Sequence, residues 1–326
     1  MTVLVTGAAG FIGFSVCERL LGAGIRVIGI DCLNDYYDPA LKAARRARLE
    51  AFPDFSFRRL DIAKDDLPSC IPAHDQKDIT EILHFAAQAG VRHSMEVPLT
   101  FADANVRGQV ALLELARRLP ALRHMVYASS SSVYGRNSAL PFRETDRVDQ
   151  PGSFYAVSKR TGELAADCYH HLYGLPLTGL RFFTVYGPWG RPDMAYYKFA
   201  RAILRDEPVT LYEGNALSRD FTFVTDVVDA ICKIMDVPPS GESRLINIGN
   251  NTPEPVSRMV ALLETLLGKK AHIRLTKRPQ ADVEYTWASI DKVQRLIDWA
   301  PTTDLPAGLE SFARWFQDYE ARVSAK

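Results

Sequence analysis

The stretch Thr2-Val-Leu-Val-Thr6-Gly7-Ala-Ala-Gly10-Phe-Ile-Gly13 joins a short apolar run to a glycine-rich turn. An apolar run that enters such a turn is typical of a buried strand. The three glycines permit a tight turn, and the backbone amides that open the following helix, predicted over Phe11–Leu21, favour a negatively charged group. The stretch therefore predicts a strand–turn–helix unit with an anion site at the turn.

Apolar strands and amphipathic helices alternate over the first half of the chain. Further strands are predicted at Arg26–Asp31, Phe55–Asp61, Glu81–Phe85, His124–Ala128 and Leu177–Phe182, and helices at Leu41–Ala51, Asn105–Arg118 and Tyr155–Tyr173. Strands separated by helical patterns predict an α/β fold with a doubly wound parallel sheet. We predict this domain over residues 1–183, with a segment at about 215–250 returning to it, and a smaller mixed α/β domain over 184–326.

The composition excludes several classes of protein. Lys plus Arg and Asp plus Glu each number 39 among 326 residues, so the net charge is zero, which argues against a broad nucleic-acid or membrane surface. No apolar run reaches the roughly 18 residues that span a bilayer, and the N-terminus lacks a leader pattern. Scattered cysteines predict free thiols in the cytoplasm, and no histidine or cysteine spacing indicates a metal site.

Asp31 indicates which anion the glycine turn binds. It ends the second predicted strand 18 residues after Gly13, where a carboxylate accepts hydrogen bonds from the ribose of a dinucleotide. The same carboxylate repels a 2′-phosphate, and Cys32 and Leu33 offer no arginine, so NAD is favoured over NADP. Asp61 borders the adenine or caps a turn, and these two interpretations are equally supported.

The pair Tyr155-Ala-Val-Ser-Lys159 places an ammonium group one helical turn from a phenol. A free phenol has a pKa near ~10, but a nearby cation favours the phenolate, which is a good base for an alcohol proton. Such a pair is also common on solvated helix faces. Ser130 and Ser132 follow the fifth predicted strand, and either can hydrogen-bond to a sugar hydroxyl group that is being oxidised.

Three motifs together resemble the extended short-chain dehydrogenase/reductase family, and within it the nucleotide-sugar epimerases and dehydratases. They are the glycine turn, the run Ser129-Ser-Ser-Ser132-Val-Tyr-Gly135, and Tyr155-x-x-x-Lys159. The resemblance implies a Rossmann domain that binds NAD, a smaller domain that binds the sugar nucleotide, and a Ser130–Tyr155–Lys159 centre with Ser132 as the alternate serine. Dehydratases of this group carry Asp-Glu where this chain has Ser131-Ser132, so elimination is disfavoured.

Three other stretches resemble the UDP-glucuronate 4-epimerases: 31–38, 87–92 and 181–195. The resemblance implies a UDP-hexuronic acid substrate whose carboxylate meets Thr184 and Arg191. A guanidinium group matches a carboxylate and stays charged, which supports this role on physical grounds. The nearest alternatives are a UDP-glucuronate decarboxylase and a UDP-glucose 4-epimerase. An alternative of another class is a non-catalytic NAD-binding regulator, which would tolerate a damaged Tyr155–Lys159 pair.

Two more arginines and a tyrosine complete the implied substrate site. Arg219 and Arg278 resemble diphosphate ligands, although Pro279-Gln-Ala-Asp282 departs from the Pro-Gly-Asp that is usual in the family. Tyr212 stacks near the uracil or packs as an ordinary aromatic residue. The resemblance also implies a homodimer, formed through the helices at Asn105–Arg118 and Tyr155–Tyr173.

The predicted site falls into three groups of residues. The catalytic residues are Ser130, Ser132, Tyr155 and Lys159. The substrate-binding residues are Ser130, Ser131, Thr184, Arg191, Tyr212, Arg219 and Arg278. The NAD-binding residues are Gly7, Gly10, Phe11, Ile12, Gly13, Asp31, Asn34, Asp61, Ile62, Ala86, Ala87, Gln88, Asn105, Tyr155 and Lys159.

Overall fold

The structure, a computed structural model, describes residues 1–213, 217–277 and 283–324. In that part of the chain the strands are β1 (Thr2–Thr6), β2 (Arg26–Asp31), β3 (Phe55–Arg59), β4 (Ile79–His84), β5 (His124–Ser130), β6 (Leu177–Phe182), β7 (Thr184–Tyr186), β8 (Pro208–Tyr212), β9 (Ser218–Phe223), β10 (Arg244–Ile248), β11 (Pro253–Pro255) and β12 (His272–Thr276).

The helices connect these strands and cover the faces of the sheets. They are α1 (Phe11–Gly22), α2 (Pro39–Leu49), α3 (Leu67–Cys70), α4 (Ala73–Asp78), α5 (His93–Glu96), α6 (Pro98–Phe101), α7 (Gly108–Ala116), α8 (Phe154–Tyr173), α9 (Ala195–Leu204), α10 (Val224–Met235), α11 (Val256–Leu267), α12 (Asp291–Ile297) and α13 (Leu305–Ser324). A π-helical turn, Ala102–Arg107, precedes α7, and a 3₁₀ turn, Ser131–Tyr134, follows β5.

Seven strands form one parallel sheet in the order β10-β6-β5-β4-β1-β2-β3. The chain runs from β1 through β2 to β3 on one side and then continues with β4 on the other side of β1. This reversal opens a crevice at the carboxyl ends of β1 and β4, which is where doubly wound sheets bind their ligands. The predicted doubly wound parallel α/β fold is confirmed.

Both faces of this sheet are buried, as the apolar strands require. Successive side chains of a strand point to opposite faces, so Met125 and Tyr127 pack on one face and Val126 packs on the other. α7 and α8 cover the first face, and α1 and α10 cover the second. The two layers of helices fix the carboxyl ends of the strands, which bear the site.

A smaller part of the chain builds two further sheets. β11, β9 and β7 form a mixed three-stranded sheet, and β8 pairs with β12 in parallel. Aromatic side chains form its core, where Tyr196 and Tyr197 contact Phe312. β10 pairs with β6 at the edge of the large sheet, and α10 packs against α1. The domain boundary after residue 183 stays a prediction.

Several boundaries differ from those predicted. β3 ends at Arg59 instead of Asp61, because the Asp61 amide turns toward Asp65 and the Asp61 carboxylate accepts a hydrogen bond from Ala63. α2 begins at Pro39, before the predicted start, because Asp38 caps the helix through the amide of Ala40.

Other elements also deviate from the predicted bounds. β4 starts at Ile79, and β5 continues to Ser130, where it still pairs with Phe182 of β6. The helix predicted at Asn105–Arg118 begins as the π-helical turn Ala102–Arg107, which carries the buried Asn105.

Candidate active site

A cavity of about 1040 Å³ opens at the carboxyl ends of the parallel strands, between the two parts of the chain. Its walls come from the glycine turn after β1, the ends of β2, β4 and β5, the start of α8, and the segments 182–199 and 210–221. Every predicted site residue in the described ranges lines this cavity, with the exception of Asn105. Arg278 lies outside the described residues.

The glycine turn is packed too tightly for any other residue. Gly7 has φ +73°, and a Cβ there would lie 2.7 Å from the amide nitrogen of Ala86. A Cβ on Gly13 would lie 2.1 Å from the carbonyl oxygen of Gly7. The turn therefore packs closely against the segment that follows β4 and against the first turn of α1, and it leaves the helix amides open to an anion.

Asp31 is buried at the end of β2, beside the glycine turn. Its Oδ2 accepts a hydrogen bond from the amide of Ala9 at 3.1 Å, and its Oδ1 accepts one from the amide of Leu33 at 2.8 Å. Each carboxylate oxygen can accept a further bond. The carboxylate is thus held in place in the wall of the cavity, and its role toward a ribose stays a prediction.

Lys42 is a cavity-lining residue that the sequence analysis missed. It lies on α2, and its Nζ donates to the carbonyl oxygen of Asn34 at 2.8 Å and to Asn34 Oδ1 at 2.5 Å. Burial lowers the pKa of this ammonium group. The side chain fixes Asn34 in the wall of the cavity, and no local sequence pattern indicates this contact.

Asp61 both caps a turn and lines the cavity, so its two interpretations are compatible. Asn105 instead supports the wall from behind. Its Oδ1 accepts from the amide of Gln88 at 2.7 Å, and its Nδ2 donates to the Gln88 carbonyl and to Ser158 Oγ, both at 2.9 Å. In this way Asn105 ties the segment after β4 to α8.

Tyr155 stands in the first turn of α8. Ser153 caps this helix through the amide of Ala156, and Ser94 accepts a hydrogen bond from the amide of Tyr155 at 3.0 Å. Lys159, one turn later, donates from Nζ to the carbonyl oxygen of Ala128 at 2.9 Å and lies 6.0 Å from the centroid of the Tyr155 ring. The predicted phenol–ammonium pair therefore shares one wall of the cavity.

The surroundings of Tyr155 act on its pKa in opposite directions. Burial raises the pKa of the phenol, the Ser130 side chain and the positive charge of Arg191 lower it, and the negative charge of Asp193 raises it. Burial also lowers the pKa of Lys159 to about 8, against the opposing charge of Glu163. The predicted effect of Lys159 on the phenol stays a prediction, because the side chains that act on the phenol here are Ser130, Arg191 and Asp193.

The two candidate serines differ in their contacts. Ser130 is the last residue of β5, and its Oγ donates to Ser132 Oγ at 3.1 Å and accepts from the amide of Ser132 at 3.2 Å. Ser131 and Ser132 belong to the 3₁₀ turn and also line the cavity. Because Ser130 is the serine whose side chain lowers the pKa of Tyr155, it is the better placed of the two.

A buried ion pair lies behind the catalytic wall. Arg181 on β6 donates from Nε and Nη2 to the two carboxylate oxygens of Glu163 on α8, at 2.8 and 2.9 Å. Ser129 Oγ adds a bond to Glu163 at 2.6 Å. Glu163 follows Lys159 by one turn, so this network fixes α8 against the sheet. The sequence analysis missed it, because pairing across 18 residues leaves no local pattern.

Arg191 lines the cavity from the loop after β7. Its Nε donates to Asp193 Oδ1 at 2.9 Å, and its Nη2 donates to Asp193 Oδ2 at 2.5 Å. Thr184, the first residue of β7, lines the same cavity. The structure thus brings the two predicted carboxylate ligands into the cavity that contains Tyr155. Sequence reasoning did not find Asp193 as a partner of Arg191.

A second buried arginine connects the cofactor end of the cavity to this loop. Arg45 on α2 is fully buried, and its guanidinium donates to the carbonyl oxygens of Ala9 at 2.9 Å, Trp189 at 2.5 Å and Gly190 at 3.1 Å. Ala9 belongs to the glycine turn. Arg45 therefore links the anion site to the loop that carries Arg191.

Tyr212 and Arg219 line the far end of the cavity. Tyr212 ends β8, and its hydroxyl and ring contact Arg92, whose guanidinium lies 5.2 Å from the ring centroid. Arg219 on β9 donates from Nη1 to the carbonyl oxygens of Ser218 at 3.0 Å and Glu284 at 2.9 Å. Both residues are thus placed in the cavity, and their roles toward uracil and diphosphate stay predictions.

A family model described as the NAD dependent epimerase/dehydratase family matches residues 3–249. The chain belongs to this family. The UDP-glucuronate 4-epimerase 3 of Arabidopsis thaliana is 45% identical to it over 333 residues, which cover 98% of this chain and 77% of the relative.

Two solved structures show how widely the fold is shared. The UDP-glucuronic acid 4-epimerase of Bacillus cereus, in complex with UDP-glucuronic acid and NAD, is 33% identical, with a TM-score of 0.91 and coverage of 98% of this chain and 100% of that one. A UDP-glucose 4-epimerase of Thermotoga maritima with UDP-glucose is 27% identical, with a TM-score of 0.88 and coverage of 98% and 100%. The fold alone therefore does not select the sugar.

Neither a metal-binding cluster nor a membrane-spanning helix is present among residues 1–213, 217–277 and 283–324. Among those residues, no cluster of three or more His, Cys, Asp or Glu side chains is arranged to hold a metal ion. None of the helices in those ranges has the length and apolarity needed to cross a membrane.

Proposed function

We propose that this chain is an NAD-dependent UDP-glucuronate 4-epimerase, which interconverts UDP-glucuronate and UDP-galacturonate through a 4-keto sugar. The observation that carries this proposal is one cavity that contains a phenol beside a serine and, on another wall, the guanidinium of Arg191. The phenol and the serine can hydrogen-bond to an alcohol and take its proton, and the guanidinium can bind a carboxylate. The 45% identity to a UDP-glucuronate 4-epimerase over nearly the whole chain supports the same substrate.

The described residues fit NAD. The turn at Gly7 and Gly13 has no room for a Cβ, which is the packing that a backbone-bound pyrophosphate requires. Asp31 holds a carboxylate at the end of β2, where it accepts from ribose hydroxyl groups. NAD⁺ bound by these residues would supply the hydride acceptor, and as NADH the hydride donor, for C4 of the sugar.

The chain's own residues move the proton. Tyr155, as the phenolate, takes the proton of the C4 hydroxyl group, and Ser130 shares that hydrogen bond. Lys159 keeps a positive charge on the same wall. After the 4-keto sugar has turned about its bond to the diphosphate, the phenol gives the proton back to the C4 oxygen. Tyr155 must therefore exchange a proton with the C4 oxygen in both configurations of the sugar at C4.

The 4-keto sugar is a β-keto acid, which can lose its carboxylate group as CO₂. An epimerase must prevent this decarboxylation. Loss of CO₂ breaks the C5–C6 bond, sends its electron pair into the C4 carbonyl to give an enolate, and ends with a proton on C5. The step needs the C5–C6 bond aligned with the carbonyl π system. Thr184 and Arg191 hold the carboxylate so that this bond stays near the carbonyl plane, which separates this function from a decarboxylase.

The test is incubation of the purified protein with UDP-glucuronate, without added NAD, followed by identification of the product. UDP-galacturonate of unchanged mass supports the proposal and shows that the cofactor co-purifies. Loss of CO₂ would instead identify a decarboxylase. Turnover of UDP-glucose alone would identify a neutral-sugar epimerase, and full turnover by Tyr155→Phe would exclude the proposed chemistry.

We further propose that the protein is a cytoplasmic homodimer. Val157, Leu164 and Leu172 of α8 are 37%, 53% and 60% exposed, and their spacing places them along one face of the helix. An exposed apolar stripe supports pairing with a second copy of the helix. The five cysteines are free, which is usual in a reducing compartment.

A further inference from the structure

The guanidinium group of Arg191 is held along one edge by Asp193. Two parallel hydrogen bonds, from Nε at 2.9 Å and from Nη2 at 2.5 Å, fix both the position and the plane of the group. Burial lowers the pKa of Arg191, but Asp193 reverses this and raises it. Burial raises the pKa of Asp193, and Arg191 in turn lowers it. Both side chains are therefore charged at neutral pH.

Asp193 is itself held from two other segments of the chain. Tyr36, in the loop after β2, donates its hydroxyl to Asp193 Oδ2 at 3.3 Å, and its ring stacks on His93 with centroids 5.1 Å apart. Gly90, after β4, makes room for this hydroxyl, because a Cβ there would lie 2.5 Å from Tyr36 Oη. Three segments of the chain thus determine where Arg191 points.

Asp193 occupies one edge of the guanidinium group of Arg191, and the opposite edge is left without this partner. In the described ranges no group accepts a hydrogen bond from Nη1, while Arg191 lines the cavity together with Tyr155. A planar group that is fixed along one edge presents its other donors in a single direction. The orientation of a bound carboxylate therefore depends on Asp193.

We propose that Asp193, supported by Tyr36, is a positioning residue that orients Arg191 and so keeps the substrate carboxylate in the geometry that prevents loss of CO₂. This inference rests on the proposed function. Without Asp193 the guanidinium keeps its charge and gains free donors, so it still attracts the carboxylate. The guanidinium group loses its fixed orientation. Because the carboxylate is then no longer held in one position, the C5–C6 bond of the 4-keto sugar rotates out of the carbonyl plane.

The test compares Asp193→Ala, Asp193→Asn and Tyr36→Phe with the wild type on UDP-glucuronate, and measures kcat, KM, the share of UDP-pentose among the products, and the NAD that co-purifies. For Asp193→Ala we expect kcat to fall about 10-fold or more, while KM changes less than about threefold. The share of UDP-pentose rises. Asp193→Asn, which keeps one hydrogen bond, recovers part of kcat, and Tyr36→Phe shifts the products in the same direction by less.

The matched control is Asp206→Asn, which changes a carboxylate that pairs with Lys269 and does not line the cavity. It should leave kcat and the products unchanged. Wild-type kcat and products in Asp193→Ala would overturn the inference while the proposed function stands. A parallel loss of bound NAD and of substrate affinity would overturn it as well, because it would mark Asp193 as a general structural residue. A wild type that converts no UDP-glucuronate would contradict both.

Discussion

Tyr155 shows how single residues decide whether a phenol can act as a base. Burial and the negative charge of Asp193 raise the pKa of this phenol, and the Ser130 side chain and the positive charge of Arg191 act against them. Arg191 therefore has two effects in the proposed reaction, because it binds the carboxylate and also favours the phenolate.

The contact between Ser130 and Tyr155 predicts a shift in the pH profile. Ser130→Ala removes a hydrogen bond that lowers the pKa of the phenol, so the phenolate forms only at higher pH. The rising limb of kcat/KM against pH should therefore move to higher pH. Ser132→Ala is the matched control, and it should move this limb less. A larger shift in Ser132→Ala would reverse the assignment of the two serines.

Residues whose role follows from local pattern were predictable, and residues whose role follows from distant contacts were not. Gly7 and Asp31 were identified because a strand, a turn and a spacing determine where they lie. Asp193 lies two residues from Arg191, but its contact with Tyr36 spans 157 residues. Arg45 likewise reaches Trp189 across 144 residues. No periodicity in one sequence records such contacts.

At the scale of elements, the placement of α8 controls the site, because this helix carries both Tyr155 and Lys159. Its anchor to the sheet is the pair of Glu163 and Arg181, whose side chains are 0% and 1% exposed. Removing one partner of a buried pair leaves an uncompensated charge. The pair therefore contributes to the geometry of the catalytic wall as well as to stability.

Glu163→Gln should lower the free energy of unfolding by about 3–5 kcal/mol, because it leaves Arg181 buried without a carboxylate. Chemical denaturation monitored by circular dichroism measures this change. Glu310→Gln is the control, since Glu310 pairs with Arg314 on the surface of α13 and should cost less than about 1 kcal/mol. Similar losses in the two variants would contradict the assignment of Glu163 as an anchor.

Buried parallel strands were the elements that the sequence predicted best. β1, β2 and β6 have the predicted bounds, because each is a short, mostly apolar segment that is buried on both faces of the sheet. The start of α7 was predicted less well. The π-helical turn before it exists because Asn105 bonds to Gln88 and Ser158, and these contacts form only in the folded chain.

At the scale of the whole molecule, the cavity depends on both parts of the chain. The parallel sheet supplies the cofactor end and the catalytic wall, and the segments after β6 supply Thr184, Arg191 and Arg219. The sheet was predictable from the alternation of strands and helices. The second part was predicted only as a smaller mixed unit, since its short strands at 184–186 and 253–255 carry no periodic pattern.

The exposed stripe on α8 predicts the oligomeric state. Leu164→Arg places a charge in the middle of the proposed helix pairing, so it should convert a dimer into a monomer in size-exclusion chromatography with light scattering. Leu275→Arg changes a leucine on β12 that is 58% exposed, and it should leave the dimer intact. A wild-type monomer, or dimers in both variants, would exclude this interface.

Transfer of a hydride away from C4 and back to the same carbon is the central claim, and an isotope label at C4 tests it most directly. UDP-glucuronate that carries deuterium at C4 is incubated with the wild-type protein in ordinary water, without added NAD, and the product is analysed by mass spectrometry and NMR. The proposed function predicts UDP-galacturonate of unchanged mass with the deuterium still at C4. Loss of the deuterium to solvent, or a product that is lighter by CO₂, would contradict it.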